Sequence, residues 1–267
     1  MNHIIVFAVL GIATYFAFKF SVILGIVVLA LILLLVYKVN YAAFFEMKAN
    51  IEFQNGNIDN ALKLYEKAYN SKNRKFSVDV SYARALMRSG NAEKALELMN
   101  NILGLSLSKE MKTTAKQTRC LINYKLGDID EAYNEAYELY YDYNFTTSNM
   151  RGLMGFMMLL KGVPIDETIK FCEEAYDYDS DNRDIVDNLA VCYYKTKDYK
   201  KGLELCESLT DEHPKFVEGW YHGAQMLSAV GDKKRALEWL ENITECNRTG
   251  MTTVSEEEIE ELKKQLS

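Results

Sequence analysis

Apolar residues fill the start of the chain and leave no polar face. Residues 4–18 form one apolar run and residues 20–37 form another, with Lys19 between them. As one straight helix, these positions would be about 51 Å long, well beyond the hydrocarbon core of a bilayer at about 30 Å. The pattern therefore predicts a hydrophobic membrane anchor in residues 1–39. The anchor is either a tight hairpin of two short passes that turns near Lys19, or one pass over residues 20–37 with the first run held in the near leaflet.

After residue 40, apolar positions follow a helical period and small residues return at a nearly fixed interval. The successive intervals are 34, 37, 36, 34 and 34 residues. A period near 34 is typical of helical hairpins that bury a core only against their neighbours, and two of these joints carry small insertions. The pattern predicts an all-α fold. The recurring small residues are Ala61, Ala95, Ala132, Thr168, Gly202 and Ala236.

The residues at this period resemble the tetratricopeptide repeat (TPR) family, most clearly over residues 183–216. The resemblance covers about residues 42–250 and is weakest over residues 148–182. It implies two antiparallel helices per repeat, and so a TPR-type α-solenoid of about six helical hairpins in residues 40–250. The clearest match comprises Leu189, Ala190, Tyr193, Asp198, Tyr199, Gly202, Cys206 and Pro214.

Residues 251–267 are predicted to form a C-terminal capping helix. Ser255 and Glu258 have the spacing of a capping box, in which each residue bonds the backbone N–H of the other. The helix would take the place of a seventh first helix, with a polar outer face that shields the end of the repeats. Its apolar stripe consists of Ile259, Leu262 and Leu266.

The junction between the anchor and the repeats predicts both rigidity and orientation. Residues 38–41 contain no Gly or Pro, so the second apolar helix is predicted to run directly into the first repeat. Lys38, Lys48, Lys63 and Lys67 follow the second apolar run. The positive-inside rule then predicts that the repeats lie in the cytoplasm.

Charge and cysteine usage narrow the possible partners. Residues 40–267 hold 29 basic and 38 acidic side chains, a formal net charge of −9. This excess disfavours nucleic acid, because phosphate binding needs a basic face. None of the five cysteines forms a Cys-x-x-Cys pair, which removes the strongest zinc signal. Cys120, Cys172 and Cys206 fall at core positions of the repeats, so we interpret them as packing residues in a reducing compartment.

The sequence shows no constellation typical of an enzyme. Of its three histidines, His213 and His222 lie within the repeats and are interpreted as structural or surface residues. No metal-binding helix, nucleophile elbow or phosphate-binding loop occurs in the sequence. We therefore predict no catalysis, no cofactor and no small-molecule substrate.

The resemblance implies a protein-binding groove on the face formed by the first helices of the repeats. Glu46 stands where the chaperone-tail-binding members of the family have the first lysine of their carboxylate clamp, so that binding mode is rejected. The candidate groove residues are Arg84, Arg88, Tyr124, Lys125, Phe156, Leu159, Asp187, Tyr194, Tyr221 and Gln225.

Two segments depart from the repeat pattern. Residues 150–160 are apolar on nearly every face, which fits either a buried first helix or an adaptable Met-rich groove. An aromatic stripe in the third repeat is interpreted as core or inter-repeat packing. It consists of Tyr133, Tyr137, Tyr140 and Tyr141.

These features predict a membrane-anchored TPR scaffold or adaptor. It would mediate protein–protein interaction or complex assembly at the cytoplasmic face of the membrane. The alternative is a structural or regulatory subunit of a larger membrane complex, for example one accessory to a membrane protease or an envelope-synthesis machine. The sequence leaves the protein partner open.

Overall fold

The computed structural model describes residues 3–246, 248 and 252–266, without the side chains of residues 3–8. All regular secondary structure in these ranges is helical. The chain divides into two compact units, Met1–Ala85 and Leu86–Ser267. The first unit contains α1 (His3–Phe20), α2 (Val22–Val39), α3 (Tyr41–Gln54), α4 (Ile58–Tyr69) and most of α5 (Phe76–Arg88).

The second unit continues the alternation of paired helices and ends in a single helix. After the end of α5, it contains α6 (Ala92–Leu103), α7 (Lys109–Lys125), α8 (Ile129–Tyr137), a π-helix (Glu138–Asp142), α9 (Ser148–Lys161), α10 (Ile165–Tyr178), α11 (Arg183–Lys195), α12 (Tyr199–Glu212), α13 (Val217–Ala229), α14 (Lys233–Asn242), a 3₁₀ turn (Ile243–Glu245) and α15 (Glu256–Leu266). Six consecutive helix pairs, α3–α4 through α13–α14, confirm the predicted fold class.

The turn inside the last pair shows how the sequence ends one helix and begins the next. Gly231 has φ +84°, a left-handed conformation that glycine adopts without steric cost. The Asp232 side chain then accepts the backbone N–H of Arg235 at 3.2 Å and caps α14. In the preceding pair, Lys197 stands in the place of the glycine and has φ +64°. A side chain can therefore occupy this position, but at a steric cost.

The small residues that set the repeat interval lie where helices pack closely. Ala61, Ala95, Ala132, Thr168 and Ala236 are fully buried. Gly202, the sixth member, is buried as well, and a Cβ there would lie 2.6 Å from the Met226 sulfur. The interval therefore marks helix contacts, as the sequence predicted.

The two longer intervals have separate structural causes. Between Ala95 and Ala132, α7 extends to 17 residues, whereas α11 and α13 each have 13. Between Ala132 and Thr168, α8 continues into the π-helix, where the Tyr143 N–H donates to the Glu138 carbonyl at 3.0 Å. A π-helix inserts extra residues without breaking the helical hydrogen bonding.

The predicted anchor region consists of two helices that meet at Ser21. This residue is extended, with φ −159° and ψ 136°, and it follows Lys19, near which the sequence predicted a turn, by two residues. The Phe18 ring packs against the backbone of Gly25, since a Cβ there would lie 2.3 Å from the ring. Among the residues described, α2 is the one helix long and apolar enough to cross a membrane, with a mean hydropathy of 3.0. The number of passes stays a prediction.

The junction between α2 and α3 is interrupted at one residue, Asn40. Its N–H donates to the Val36 carbonyl at 3.0 Å and its own carbonyl accepts from Phe44 at 2.9 Å, so helical bonding continues on both sides. The Asn40 Nδ2 also donates to the Val36 carbonyl, at 2.9 Å. This side-chain bond competes with the backbone, which explains why the predicted unbroken helix has a break here.

The C-terminal helix is capped as predicted. The Ser255 N–H donates to Glu258 at 2.7 Å, and the Glu258 N–H donates to the Ser255 hydroxyl at 3.1 Å. Its apolar stripe is buried in a cluster with Trp239 and Leu240 of α14. The helix therefore covers apolar surface of the last pair. The stripe consists of Ile259, Leu262 and Leu266.

The cysteines and the Met-rich helix belong to the core. Cys120, Cys172 and Cys206 are buried and reduced, as the repeat positions predicted. In α9 the buried interpretation is confirmed for the methionines, while Leu160 is 40% exposed. The apolar character of this helix thus mainly fills the core. The buried methionines are Met150, Met154, Met157 and Met158.

The aromatic stripe of the third repeat was assigned wrongly in part. Tyr140 packs on Phe171 of α10, with ring centroids 5.3 Å apart, as inter-repeat packing requires. Tyr137 and Tyr141 instead point outward and are 45% and 49% exposed. The extra residue per turn in the π-helix aligns Tyr141 with Tyr137 and turns Tyr140 further away from Tyr137, an arrangement that a regular helical period does not predict.

Candidate protein-binding site

The first helices of the last four pairs bring most of the predicted groove residues onto neighbouring helices. Helix α9 contacts α11, and α11 contacts α13. The Tyr124 ring of α7 meets the Phe156 ring of α9 edge to face, with centroids 5.2 Å apart. The four helices α7, α9, α11 and α13 therefore carry one candidate site, which we call the first-helix face.

One end of the first-helix face is aromatic and apolar. Tyr124, Phe156 and Leu159 are half-buried and pack at the edge of the core cluster that contains the α9 methionines. Burial, together with Glu218 and Glu258, raises the pKa of Tyr124. Burial lowers the pKa of Lys125, against the opposing effect of Glu218. This end offers apolar contacts with polar tips that remain partly in water.

The middle of the face contains a close pair of opposite charges. His222 Nδ1 of α13 lies 2.7 Å from Asp187 Oδ1 of α11, and their side chains are only 17% and 13% exposed. Burial acts to lower the pKa of His222, but Asp187, with Glu218 and Glu258, raises it above its usual value. The pair therefore joins two first helices through a charge-assisted hydrogen bond.

Tyr221 and its neighbours form the other end. Gln225 Nε2 donates to the Tyr221 hydroxyl at 3.2 Å. Burial, followed by the Glu258 carboxylate, raises the pKa of Tyr221 to about 12, so its hydroxyl stays protonated at neutral pH. Tyr221 is only 6% exposed, whereas Tyr194 is half-buried and lies 5.8 Å from the Tyr199 ring. Tyr194 is thus the more accessible aromatic residue at this end.

The two predicted arginines lie on α5, which is not one of the four helices of this site. Arg84 and Arg88 lie on α5, where the first unit gives way to the second. The bond of His222 to Asp187 agrees with the structural role that the sequence interpretation gave this histidine, but the pairing itself was not predicted. One available signal was its spacing of 35 residues from Asp187, close to one repeat interval.

Acidic side chains surround the site from the C-terminal side. Glu218 of α13 is buried and accepts the backbone N–H of Thr253 at 2.7 Å. This bond ties the segment before α15 to α13. Among the described residues, no group of three or more His, Cys, Asp or Glu side chains is arranged to hold a metal ion.

These features define a class of protein built from consecutive antiparallel helix pairs with small residues at the helix contacts. Comparison with known families identifies the class: residues 165–221 match the family model of the tetratricopeptide repeat. The resemblance seen in the sequence is therefore confirmed, and residues 165–221 match TPR repeats.

Solved structures support the same fold over most of the chain. A tetratricopeptide repeat protein from Parabacteroides merdae is 17% identical, with a TM-score of 0.67; the match covers 85% of this chain and 84% of that one. PilF of Pseudomonas aeruginosa is 13% identical, with a TM-score of 0.60 and coverage of 85% and 99%. At these identities the likeness shows the fold alone. No curated protein matches the sequence significantly.

Proposed function

We propose that this protein is a membrane-anchored scaffold that binds a segment of a partner protein on its first-helix face. The TPR fold supports a role in protein–protein interaction, and TPR proteins are generally non-catalytic. The observation that carries the proposal is the half-buried surface of Tyr124, Phe156 and Leu159 beside the Asp187–His222 pair. An apolar anchor next to fixed polar groups is typical of peptide-binding grooves.

The proposed ligand is an amphipathic segment with one large apolar side chain. That side chain would lie against Phe156 and Leu159, where desolvation contributes most of the affinity. Polar groups of the same segment would face Asp187, Gln225 and Tyr194. The groove would then select its partner by the distance between an apolar residue and a hydrogen-bond donor.

The membrane part of the proposal rests on α2. Its 18 residues would span about 27 Å at 1.5 Å per residue, close to the hydrocarbon thickness. Side chains along it are exposed, including Val22 at 66% and Ile23 at 76%. A soluble protein rarely leaves so continuous an apolar surface in water. With lysines following α2, we propose that the repeats lie on the cytoplasmic side.

Site-specific crosslinking in intact membranes tests the binding surface. A photoreactive residue at position 156 of the full-length chain should capture a partner protein, and Leu159→Ser should reduce the yield several-fold. Leu160→Ser is the matched control, because Leu160 is 40% exposed and is not one of the candidate groove residues of α9. Equal yields from Leu159→Ser and Leu160→Ser would contradict the proposed site.

Protease accessibility tests the orientation separately. In sealed cells stripped of their outer layers, external protease should leave residues 86–267 intact until the membrane is permeabilised. Digestion before permeabilisation would place the repeats outside and remove the cytoplasmic assignment.

The alternative function is that of a subunit in a larger membrane complex. The exposed apolar surfaces of α1 and α2 favour it, because small residues such as Ala17 and Gly25 lie buried between these helices and leave the larger side chains outside. Extraction in mild detergent separates the two functions. A stoichiometric membrane partner that survives deletion of the repeats favours the subunit role, and a partner lost with the first-helix face favours the scaffold.

A further inference from the structure

A row of three tyrosines, the half-buried Tyr133 and the exposed Tyr137 and Tyr141, lies on the second helix of the third pair and the π-helix that follows it. The ring centroids of Tyr133 and Tyr137 are 6.1 Å apart, and those of Tyr137 and Tyr141 are 4.5 Å apart. Tyr137 is 45% exposed and Tyr141 is 49% exposed. We call Tyr133, Tyr137 and Tyr141 the tyrosine ridge. Exposed aromatic rings are common at the energetic centres of protein interfaces.

The ridge is held in place from beneath by the neighbouring pair. Tyr140 packs on Phe171 of α10, and the Tyr141 ring lies edge to face against Tyr140 with centroids 4.9 Å apart. The outer rings therefore rest on a buried aromatic layer. Such rings lose little conformational entropy when a partner binds.

The surroundings of the ridge are strongly acidic. Helix α8, the π-helix and α10 together hold ten carboxylates and one lysine, Lys170. Three of the ten are in ion pairs, and a fourth, Glu173, accepts a hydrogen bond from the Tyr193 hydroxyl. Glu135 and Glu138 bond to Lys116 and Arg119, and Asp130 pairs with Lys161. The remaining carboxylates leave a net negative potential around the rings.

Two of these carboxylates lie along the side of the ridge. Glu167 and Glu174 are exposed and sit about one turn before and after Phe171 on α10, whose ring contacts the layer beneath the ridge. Residues three or four apart share one side of a helix. Burial, three neighbouring tyrosines and Glu174 all raise the pKa of Tyr141, which agrees with this placement.

Tyrosines close to the ridge, but outside it, already hold a guanidinium group within the molecule. The Arg151 guanidinium lies over the Tyr178 ring at 4.3 Å and 5.7 Å from the centroid of Tyr140. Its Nε is buried without a hydrogen-bond partner among the described residues. The stacking therefore holds this side chain in place of a hydrogen bond at Nε.

We propose that the tyrosine ridge binds an arginine-bearing segment of a partner protein. The faces of Tyr137 and Tyr141 receive the guanidinium groups, and Glu167 and Glu174 accept their hydrogen bonds. This surface lies on second helices and is separate from the first-helix face.

Arginine fits the ridge better than lysine because its planar guanidinium group stacks on aromatic rings and also forms bidentate hydrogen bonds with carboxylates. A second copy of the chain fits poorly. Residues 86–267 hold 22 basic and 33 acidic side chains, so two such surfaces would repel each other.

Peptide binding to the full-length chain tests this. The chain is placed in nanodiscs of phosphatidylcholine, so that cationic probes do not bind the lipid. The probes are two labelled Gly-Ser peptides, one with four arginines and one with four lysines, and binding is followed by fluorescence anisotropy. The arginine peptide should bind several-fold more tightly. Tyr137→Ser with Tyr141→Ser should weaken it about tenfold, as expected for the loss of two exposed cation–π contacts.

Charge variants distinguish binding at the tyrosine ridge from nonspecific electrostatic attraction to the acidic chain. Glu167→Gln with Glu174→Gln should weaken the arginine peptide and reduce its salt dependence. Glu93→Gln with Glu97→Gln makes the same charge change on α6 and should have little effect. Circular dichroism checks the fold, and Tyr137→Phe with Tyr141→Phe should retain binding because the rings remain.

Four results of the binding assay would overturn the proposal. They are no binding of the arginine peptide, equal binding of both peptides, unchanged affinity in the double serine variant, and loss of binding on Phe156→Ser with Leu159→Ser instead. Self-association abolished by the double serine variant would assign the ridge to a second copy and overturn it as well.

Discussion

The third and sixth helix pairs are built on the same plan but are held together by different interactions. In the sixth, Gly223 lies so close to the Trp239 ring that a Cβ would be 2.0 Å from it. In the third, α7 and α8 are joined by buried charges, with Arg119 Nη2 2.8 Å from Glu135 Oε1. Lys116 lies 3.6 Å from the same carboxylate oxygen. One pair therefore relies on shape and the other on a polar network.

The difference explains where the repeat interval can vary. Steric fit between a glycine and a rigid ring fixes the helix spacing, and the interval between Gly202 and Ala236 is 34 residues. Ion pairs between long side chains tolerate small shifts, and the intervals on either side of Ala132 are 37 and 36 residues. The irregular pair is also the one that contains the π-helix and the tyrosine ridge.

Removing the central carboxylate of the network should have the largest effect. Glu135→Ala leaves the half-buried Arg119 without its carboxylate partner, while the buried Lys116 keeps only Glu138, at 2.6 Å. We expect a loss of about 3 kcal/mol in the free energy of unfolding, because both cations lose the buried carboxylate that they share. Urea unfolding of the full chain in detergent, followed by circular dichroism, measures it. Glu131→Ala, at an exposed position of α8, should cost less than about 0.5 kcal/mol.

Adding one methyl group at the contact between Gly223 and the Trp239 ring should cause the second largest loss of stability. Gly223→Ala forces the Trp239 ring to move, and we expect a loss of about 2 kcal/mol. Gly202→Ala is the matched variant, because its nearest neighbour is the flexible end of Met226 at 2.6 Å. It should cost clearly less in the same unfolding assay. Equal losses from both variants would show that ring rigidity does not set the spacing.

The Asp187–His222 pair should make the stability of the chain depend on pH. The pKa of folded His222 is raised above its unfolded value of about 6.5. Its contribution to stability is therefore complete below about pH 6.5 and is lost as the pH rises through the folded pKa. His222→Gln should cost about 1 to 2 kcal/mol at pH 6 and less at pH 9, as measured by urea unfolding.

Asp187→Asn should remove the same pH-dependent contribution to the free energy of unfolding, because it removes the negative charge that pairs with His222. A stability difference between the wild-type chain and His222→Gln that grows with rising pH would contradict the assignment.

The smallest expected effect concerns a turn that breaks the pattern of the regular pairs. Lys197 has φ +64° where the next pair has Gly231 at +84°. Lys197→Gly should stabilise the chain by about 0.5 kcal/mol, because relief of left-handed strain outweighs the added freedom of the unfolded chain. Gly231→Lys should destabilise it by about 1 kcal/mol. Thermal melting of both variants checks the sign, and a destabilising Lys197→Gly would show that the lysine side chain is required.

Local sequence patterns were sufficient to predict the helix pairs and the C-terminal cap. The Ser255–Glu258 cap depends on contacts within one helical turn, and the small residues at a fixed interval depend on contacts within one repeat. Both patterns are therefore visible in the sequence of a single chain. The outward direction of Tyr137 and Tyr141 could not, because a π-helix shifts the register without a sequence signal of its own. The Asp187–His222 bond was missed because it depends on how two first helices face each other.

Asn40 has a consequence for how the anchor and the first repeat can change together. Since helical hydrogen bonds continue on both sides of it, each residue added or removed there would rotate α3 by about 100° around the axis of α2. Only steps of three or four residues bring the same side of α3 back to its present direction relative to α2. Natural length changes at this junction should therefore come in whole helical turns.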